Sequence, residues 1–245
     1  MPLAACSGCW LACARRAAVV SLGTALWLAA GCGAAPSETA AAPEPSAKPP
    51  SGEGIVAEGE IGGLSQEDVE TEFESLAPAV QRCAEQGMSR NDALAGNCTV
   101  ALRITRHGAV HWAYLRDSTL GDRRTELCIL DAMRAKSWPK PLGGEGEAEH
   151  SFTIESPVSV SIWDEARVRS ARGLLARKAG PCLRHTRGRF VATVYVRADG
   201  SVLSAGVAPP SAAGEEHADC VAEALGKVNL GKQRARLSKG TFKLP

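Results

Sequence analysis

GNCTVALRITRHGAVHWAYLRDSTLGDRRTELCILDAMRAKSW, residues 96–138, decides the fold, because the chain repeats its design 92 residues later. That shift carries Gly96 onto Gly188, Gly108 onto Gly200, Val110 onto Val202, Cys128 onto Cys220 and Trp138 onto Leu230 without a gap. An internal repeat of this length makes each copy one structural unit, so the chain is read as two. Within the first copy, Cys98, Val100, Leu102 and Ile104 alternate with polar residues, the period of a strand with one buried face. The second copy answers with Phe190, Ala192, Val194 and Val196. His107-Gly108 and Asp199-Gly200 are hairpin turns, where glycine supplies a positive φ. On the returning strands Val110, Ala113, Leu115 and Val202, Ala205, Val207 break the alternation in the same way. That shared break predicts a β-bulge after the first valine of each.

Outward from the hairpins, helices are expected on both sides. Ser65-Gln66-Glu67-Asp68 has the form of a helix N-cap with an acidic residue three positions on. The stripe Val69, Phe73, Leu76, Val80, Cys83 that follows repeats at 4, 3, 4, 3 and marks one helical face. Pro78 inside it is expected to kink or divide that helix. Val168, Leu175 and Cys182 repeat the stripe in the second copy. Ser118-Thr119 offers a cap for a second helix through Leu127, Cys128, Leu130 and Met133. A last strand ends at Phe152 and Ile154, and its counterpart at Phe242 and Leu244. The expected fold is α+β: two tandem α-β-β-α-β units, each a three-stranded antiparallel sheet with two helices on one face.

Cys83 and Cys128 both sit on inward stripes of helices that cover the same sheet face, and Cys182 and Cys220 are their equivalents. Disulfides Cys83–Cys128 and Cys182–Cys220 are therefore predicted, which an exported chain permits. Cys98 is left as a buried free thiol, since its counterpart is Phe190 on an inward face. With aromatics at 4% the cores are small and aliphatic, and bridges help units of this size.

Residues 1–31 read as a leader. Arg15 and Arg16 precede an apolar run of about 14 residues, right for a signal-peptide h-region and too short to span a bilayer. It ends Leu28-Ala29-Ala30-Gly31-Cys32, which resembles a bacterial lipobox, with Cys32 as the lipidation site and membrane anchor. Residues 32–63, rich in Ala, Pro, Glu and Ser, are expected to be a disordered tether. Domain one is placed at 64–156 and domain two at 157–245. The net charge of +1 conceals an asymmetry. Residues 65–156 hold 10 Lys and Arg against 15 Asp and Glu, and residues 157–245 hold 15 against 7. The basic half favours an anionic partner or surface.

The first copy resembles the AgmX/PglI C-terminal domain of bacterial envelope and gliding-motility proteins, a relative of the TonB C-terminal fold. The residues that carry the resemblance are Gly62-Gly63-Leu64-Ser65, Cys83, Leu94-Ala95-Gly96, Gly108-Ala109-Val110, Ser118-Thr119-Leu120-Gly121-Asp122, Cys128-Ile129, and Trp138-Pro139-Lys140-Pro141-Leu142-Gly143-Gly144. The second copy keeps Cys182, Gly188, Gly200, Val202 and Cys220 but has Gly231-Lys232-Gln233 in place of the Pro-Lys-Pro stretch. The resemblance implies a non-enzymatic module that takes a partner's extended segment along an exposed sheet edge. Trp138, Pro139, Lys140, Pro141, Phe152 and Ile154 are the residues assigned to that partner surface. The partner expected is another envelope protein, at the periplasmic face of the outer membrane. Peptidoglycan or another anionic surface bound through basic domain two is the alternative.

No catalytic constellation, cofactor or metal is expected, and no nucleic-acid partner. None of His107, His111, His150, His185 and His217 has a counterpart histidine in the other copy, and solvent exposure accounts for them. Gly143-Gly144 lacks the Lys-Ser/Thr of a phosphate-binding loop. Ser118 and Ser151 have no Gly-x-Ser-x-Gly setting.

Overall fold

A computed structural model describes residues 63–245; the expected leader, Cys32 and nearly all of the tether lie outside the described residues. Ser65 caps the first helix, its hydroxyl accepting from the Asp68 N–H at 3.3 Å. Helix α1 then runs unbroken over Gln66–Met88 with Pro78 inside it. Proline removes one backbone hydrogen bond, yet the stripe Val69, Phe73, Leu76, Val80, Cys83 is buried on both sides of Pro78 and extends to Ala84 and Gly87. Packing of that face outweighs the lost bond. Strand β1 (Gly96–Ile104) returns as β2 (Val110–Ser118), helix α2 (Arg123–Ala135) crosses back, and β3 (Gly146–Ile154) closes the sheet. The order is β2-β1-β3, antiparallel throughout. Cys98, Val100, Leu102 and Ile104 are all fully buried, as their alternation requires.

The cap of α2 is Asp122 and not the Ser118-Thr119 pair: its carboxylate accepts from the Thr125 N–H at 2.8 Å. Ser118 ends β2 with its hydroxyl turned inward. Gly121, at φ +75°, then turns the chain into the helix. The buried positions of α2 accordingly include Thr125, Glu126, Ile129, Leu130 and Met133, while Leu127 and Cys128 are half-buried.

In the second half, strand β4 (Ser161–Ile162) leads to α3 (Glu165–Ala179), a 3-10 turn (Gly180–Leu183) and the hairpin β5 (Phe190–Arg197) and β6 (Val202–Ala208). A second 3-10 turn (Ala212–Gly214), α4 (Glu215–Gly226) and β7 (Leu237–Leu244) complete it. Here the sheet has four strands, β4-β7-β5-β6, and not three. The extra strand β4 runs parallel to β7, pairing Ser161 with Ser238 and Ile162 with Lys239. Trp163 fixes it there: its N–H donates to the Lys239 carbonyl, its indole donates to Ser238, and its ring fills the space above Gly240. Both hairpins carry the bulge directly after the first valine. Ile104 pairs with Val110 and Arg103 with Trp112, Val196 with Val202 and Tyr195 with Ser204.

The described residues, 63–245, lie within one compact unit. One apolar core lies under α1 and α2, a second under α3 and α4, and a small cluster of Ala93, Leu94, Tyr195 and Leu237 joins them. Both disulfides, Cys83–Cys128 and Cys182–Cys220, close inside this unit, so it carries all the packing that holds it together. Among the described residues no helix is long and apolar enough to cross a membrane.

Candidate functional site: the groove beside the last strand of the first sheet

Most of the residues assigned to the partner surface are interior. Trp138 is only 4% exposed. Its ring meets Phe73 edge-on at 4.7 Å, and its indole donates to the Met133 carbonyl. Its own backbone N–H donates to Gly108, whose φ of +85° brings the turn against the Trp138 carbonyl. The segment after α2 is thus a plug for the β1–β2 hairpin. Pro141 is buried beside Gly146, Pro139 is half-buried, and of the four residues Trp138 to Pro141 Lys140 alone faces solvent, while Leu142 beyond them is exposed. Ile154 is core, and Phe152 is half-buried against Phe73 and His150. An apolar residue on a strand whose one face is covered by helices points inward, so these side chains were spent on the core.

What β3 leaves open is its outer edge. The strand bonds to β1 on one side alone, and on the other two cavities run between it and α1. The first, about 320 Å³, has Val69 and Phe73 of α1 facing Ala148 and His150 of β3, with Glu70, Glu147 and Glu149 at its rim. The second, about 290 Å³, lies further along between Gln81 and Met88 of α1 and Thr153, Ile154 and Glu155. No Lys or Arg lines either one. His150 stacks flat on Phe73 at 4.7 Å, so this histidine is a packing residue. An unpaired row of backbone N–H and C=O groups beside an open, largely polar groove is able to accept another extended segment. The matching edge in the second half is partly closed, because β4 and the Trp163 N–H occupy the start of β7.

A third cavity, about 570 Å³, lies where the two halves meet and is lined by α2 on one side and β6 and α4 on the other. Arg123 is engaged across that seam, and Arg90 is paired within the first half. Arg123 donates to Glu215 and Asp219, each at 2.6 Å, and Arg90 pairs with Asp122 at 2.7 Å. Beneath them Glu126 is wholly enclosed. Ser118 donates to one of its oxygens at 2.6 Å, and the backbone N–H of Val207 donates to the other at 2.9 Å. Burial pushes this carboxyl up to about 7, against the pull of those two hydrogen bonds and of Arg123. Nearby, the Ala95 carbonyl accepts from both Tyr195 and Lys239, and burial takes the Lys239 ammonium down to about 8. Sequence reading missed this seam. A signal was present, since the counterpart of Glu126 is Ala218, and Ser204, Gly206 and Ala208 stand where the first copy has Trp112, Tyr114 and Arg116.

Reactive chemistry is confined. Cys98 is buried, and that burial, with the charge of Glu126 beside it, pushes the thiol up to about 12. A thiol so protonated and enclosed is inert. Iodoacetamide is expected to leave Cys98 unmodified in the native protein and to label it fully in denaturant. Rapid native labelling would mean that β1 opens. Among the described residues no three His, Cys, Asp or Glu side chains are grouped to hold a metal ion. His111 is engaged with Glu145 at 2.9 Å and His217 lies by Glu216. No family model matches the chain, and neither a curated protein nor a solved structure matches it.

Proposed function

We propose that the chain is a non-enzymatic cell-envelope protein, exported, lipid-anchored through Cys32 at the periplasmic face of the outer membrane, that holds an extended segment of a partner protein along the free edge of β3. The observation that carries the reading is the contrast between two strand edges. That of β3 is unpaired and flanked by two grooves against α1, whereas the start of that of β7 is occupied by β4. A duplicated α-β-β-α-β unit of TonB C-terminal type accounts for this pair: one copy keeps its edge for a partner and the other covers the start of it. Main-chain bonds supply the affinity in such a contact, and the alternate side chains that enter the groove supply the selectivity. The carboxylates at the rim favour a segment bearing Lys or Arg.

Site-specific photo-crosslinking in intact cells tests it. A photoreactive residue at Ser151, exposed on β3, is expected to give a discrete adduct with one partner, and the same residue at Ser170, exposed on α3, is expected to give none. No adduct from Ser151, or the same adducts from both positions, would remove edge pairing as the mode of binding.

A further inference from the structure

We propose that Arg177, Lys178, Arg184, Arg187 and Arg189 form a docking surface for the headgroup phosphates of an anionic lipid surface. The inference is independent of the β3 groove. From residue 166 to residue 198 the chain holds nine Lys and Arg and no carboxylate. Three of the nine have local duties: Arg167 lies over the Trp163 ring and donates to Leu230 and Gln233, Arg169 pairs with Glu165, and Arg197 donates to Ser201. The five named residues are all exposed, and none has an ion-pair partner among the described residues. In the first half, by contrast, Arg90, Arg103, Arg116, Arg123, Arg134 and Lys136 each meet a carboxylate.

The cluster is also held in place. The last turn of α3 runs directly into the turn Gly180–Leu183, and Cys182–Cys220 ties that turn to α4. Thr186 then donates twice to the Leu183 carbonyl, through its N–H and its hydroxyl. Gly188, at φ +92°, delivers the chain to β5, where Val191 pairs with Lys243 and adds a sixth exposed cation. Arg177 and Lys178 gain from the negative end of the α3 dipole, which explains those two. It does not explain Arg184, Arg187 and Arg189, which lie beyond the helix. None of the five lines any of the three cavities described above. The phenyl and phenol rings of this segment, Phe190 and Tyr195, are fully buried, so neither is open to stack on a base or a sugar ring, and the exposed ring is the imidazole of His185. An open array of exposed cations matches a plane of phosphates.

Residues 55–245, with both disulfides formed, are to be sedimented with vesicles of phosphatidylglycerol and phosphatidylcholine in equal parts and with phosphatidylcholine alone. Binding to the anionic vesicles is expected at about 50 mM salt, with loss at about 500 mM, because the contact is screened. Arg184→Ser, Arg187→Ser and Arg189→Ser together are expected to weaken it on the order of 100-fold, about fivefold for each charge. The corresponding Lys triple variant is expected to bind like the original. All three positions are exposed, so an unchanged melting curve accompanies either variant. Equal binding by the Ser triple variant, equal binding to phosphatidylcholine alone, or sedimentation with purified sacculi or double-stranded DNA but not with vesicles would overturn the proposal.

Discussion

Replacing Cys83 and Cys128 together by serine is expected to cost roughly 4 kcal/mol of unfolding free energy, the loop-closure value for a cross-link spanning 45 residues. The bridge joins the end of the buried α1 stripe to α2, so both helices covering the first sheet depend on it. Cutting it frees α1 to leave with the chain that precedes it. The rest of that core is aliphatic apart from Phe73, Trp138 and Phe152, and little else compensates. For a unit of this size the loss corresponds to a fall of roughly 8–16 °C in midpoint temperature. Removing Cys182 and Cys220 is expected to cost about as much, since that loop spans 38 residues. The two bridges differ in access. Cys83 is 3% exposed, whereas Cys220 is exposed, so a graded reductant is expected to open Cys182–Cys220 first. Urea unfolding of each double-serine variant measures the first expectation, and alkylation mapping during reduction measures the second. A Cys83→Ser/Cys128→Ser variant within about 1 kcal/mol of the parent would show that the bridge constrains nothing the packing does not already fix.

Those bridges were legible because they needed only local periodicity and a shared sheet face. The buried row of β1 was legible for the same reason, as were the paired bulges, which a break in alternation marks on any strand. Pro78 misled in one respect: a rule about backbone bonds cannot see that the stripe on both sides of it packs into one core. Trp138, Pro141 and Ile154 were assigned to a surface although apolar side chains on such elements are used inside first. The groove beside β3 needed the third dimension, since Val69 and Ala148 lie far apart in the chain and meet only after the sheet forms. Strand β4 was invisible for a related reason. Two residues carry no period, and Trp163 shows its role only when its ring is found over Gly240. The seam between the halves depends on small residues in one copy accepting polar ones from the other, a relation that no single window contains.

Glu126 at that seam leads to the second large effect, a stability that falls as pH rises. The carboxyl is completely buried, its value of about 7 stands above the ordinary 4.5, and burial is the main cause. The folded protein therefore holds this proton more tightly than the unfolded chain does. Its contribution is fully present below pH 4.5 and is lost as pH climbs through 7. The difference corresponds to roughly 3 kcal/mol. Charged neighbours set the balance: Arg123 on α2 draws the value down, and Glu215 at the start of α4 draws it up. Glu215 is itself raised, chiefly by burial, so it adds to the same slope. Glu126→Gln keeps an oxygen to accept from the Val207 N–H and an amide to donate to Ser118, but carries no proton to lose. That variant is expected to match the parent near pH 4.5 and to exceed it by up to roughly 3 kcal/mol above pH 7. Gly206 makes the effect specific to the seam, because a Cβ there would overlap the Glu126 carboxylate, and so the two groups must come apart or stay together as one. Parallel stability profiles for parent and variant from pH 4.5 to 8 would show instead that the carboxylate is adequately solvated by its two hydrogen bonds and Arg123, and that the seam is indifferent to pH.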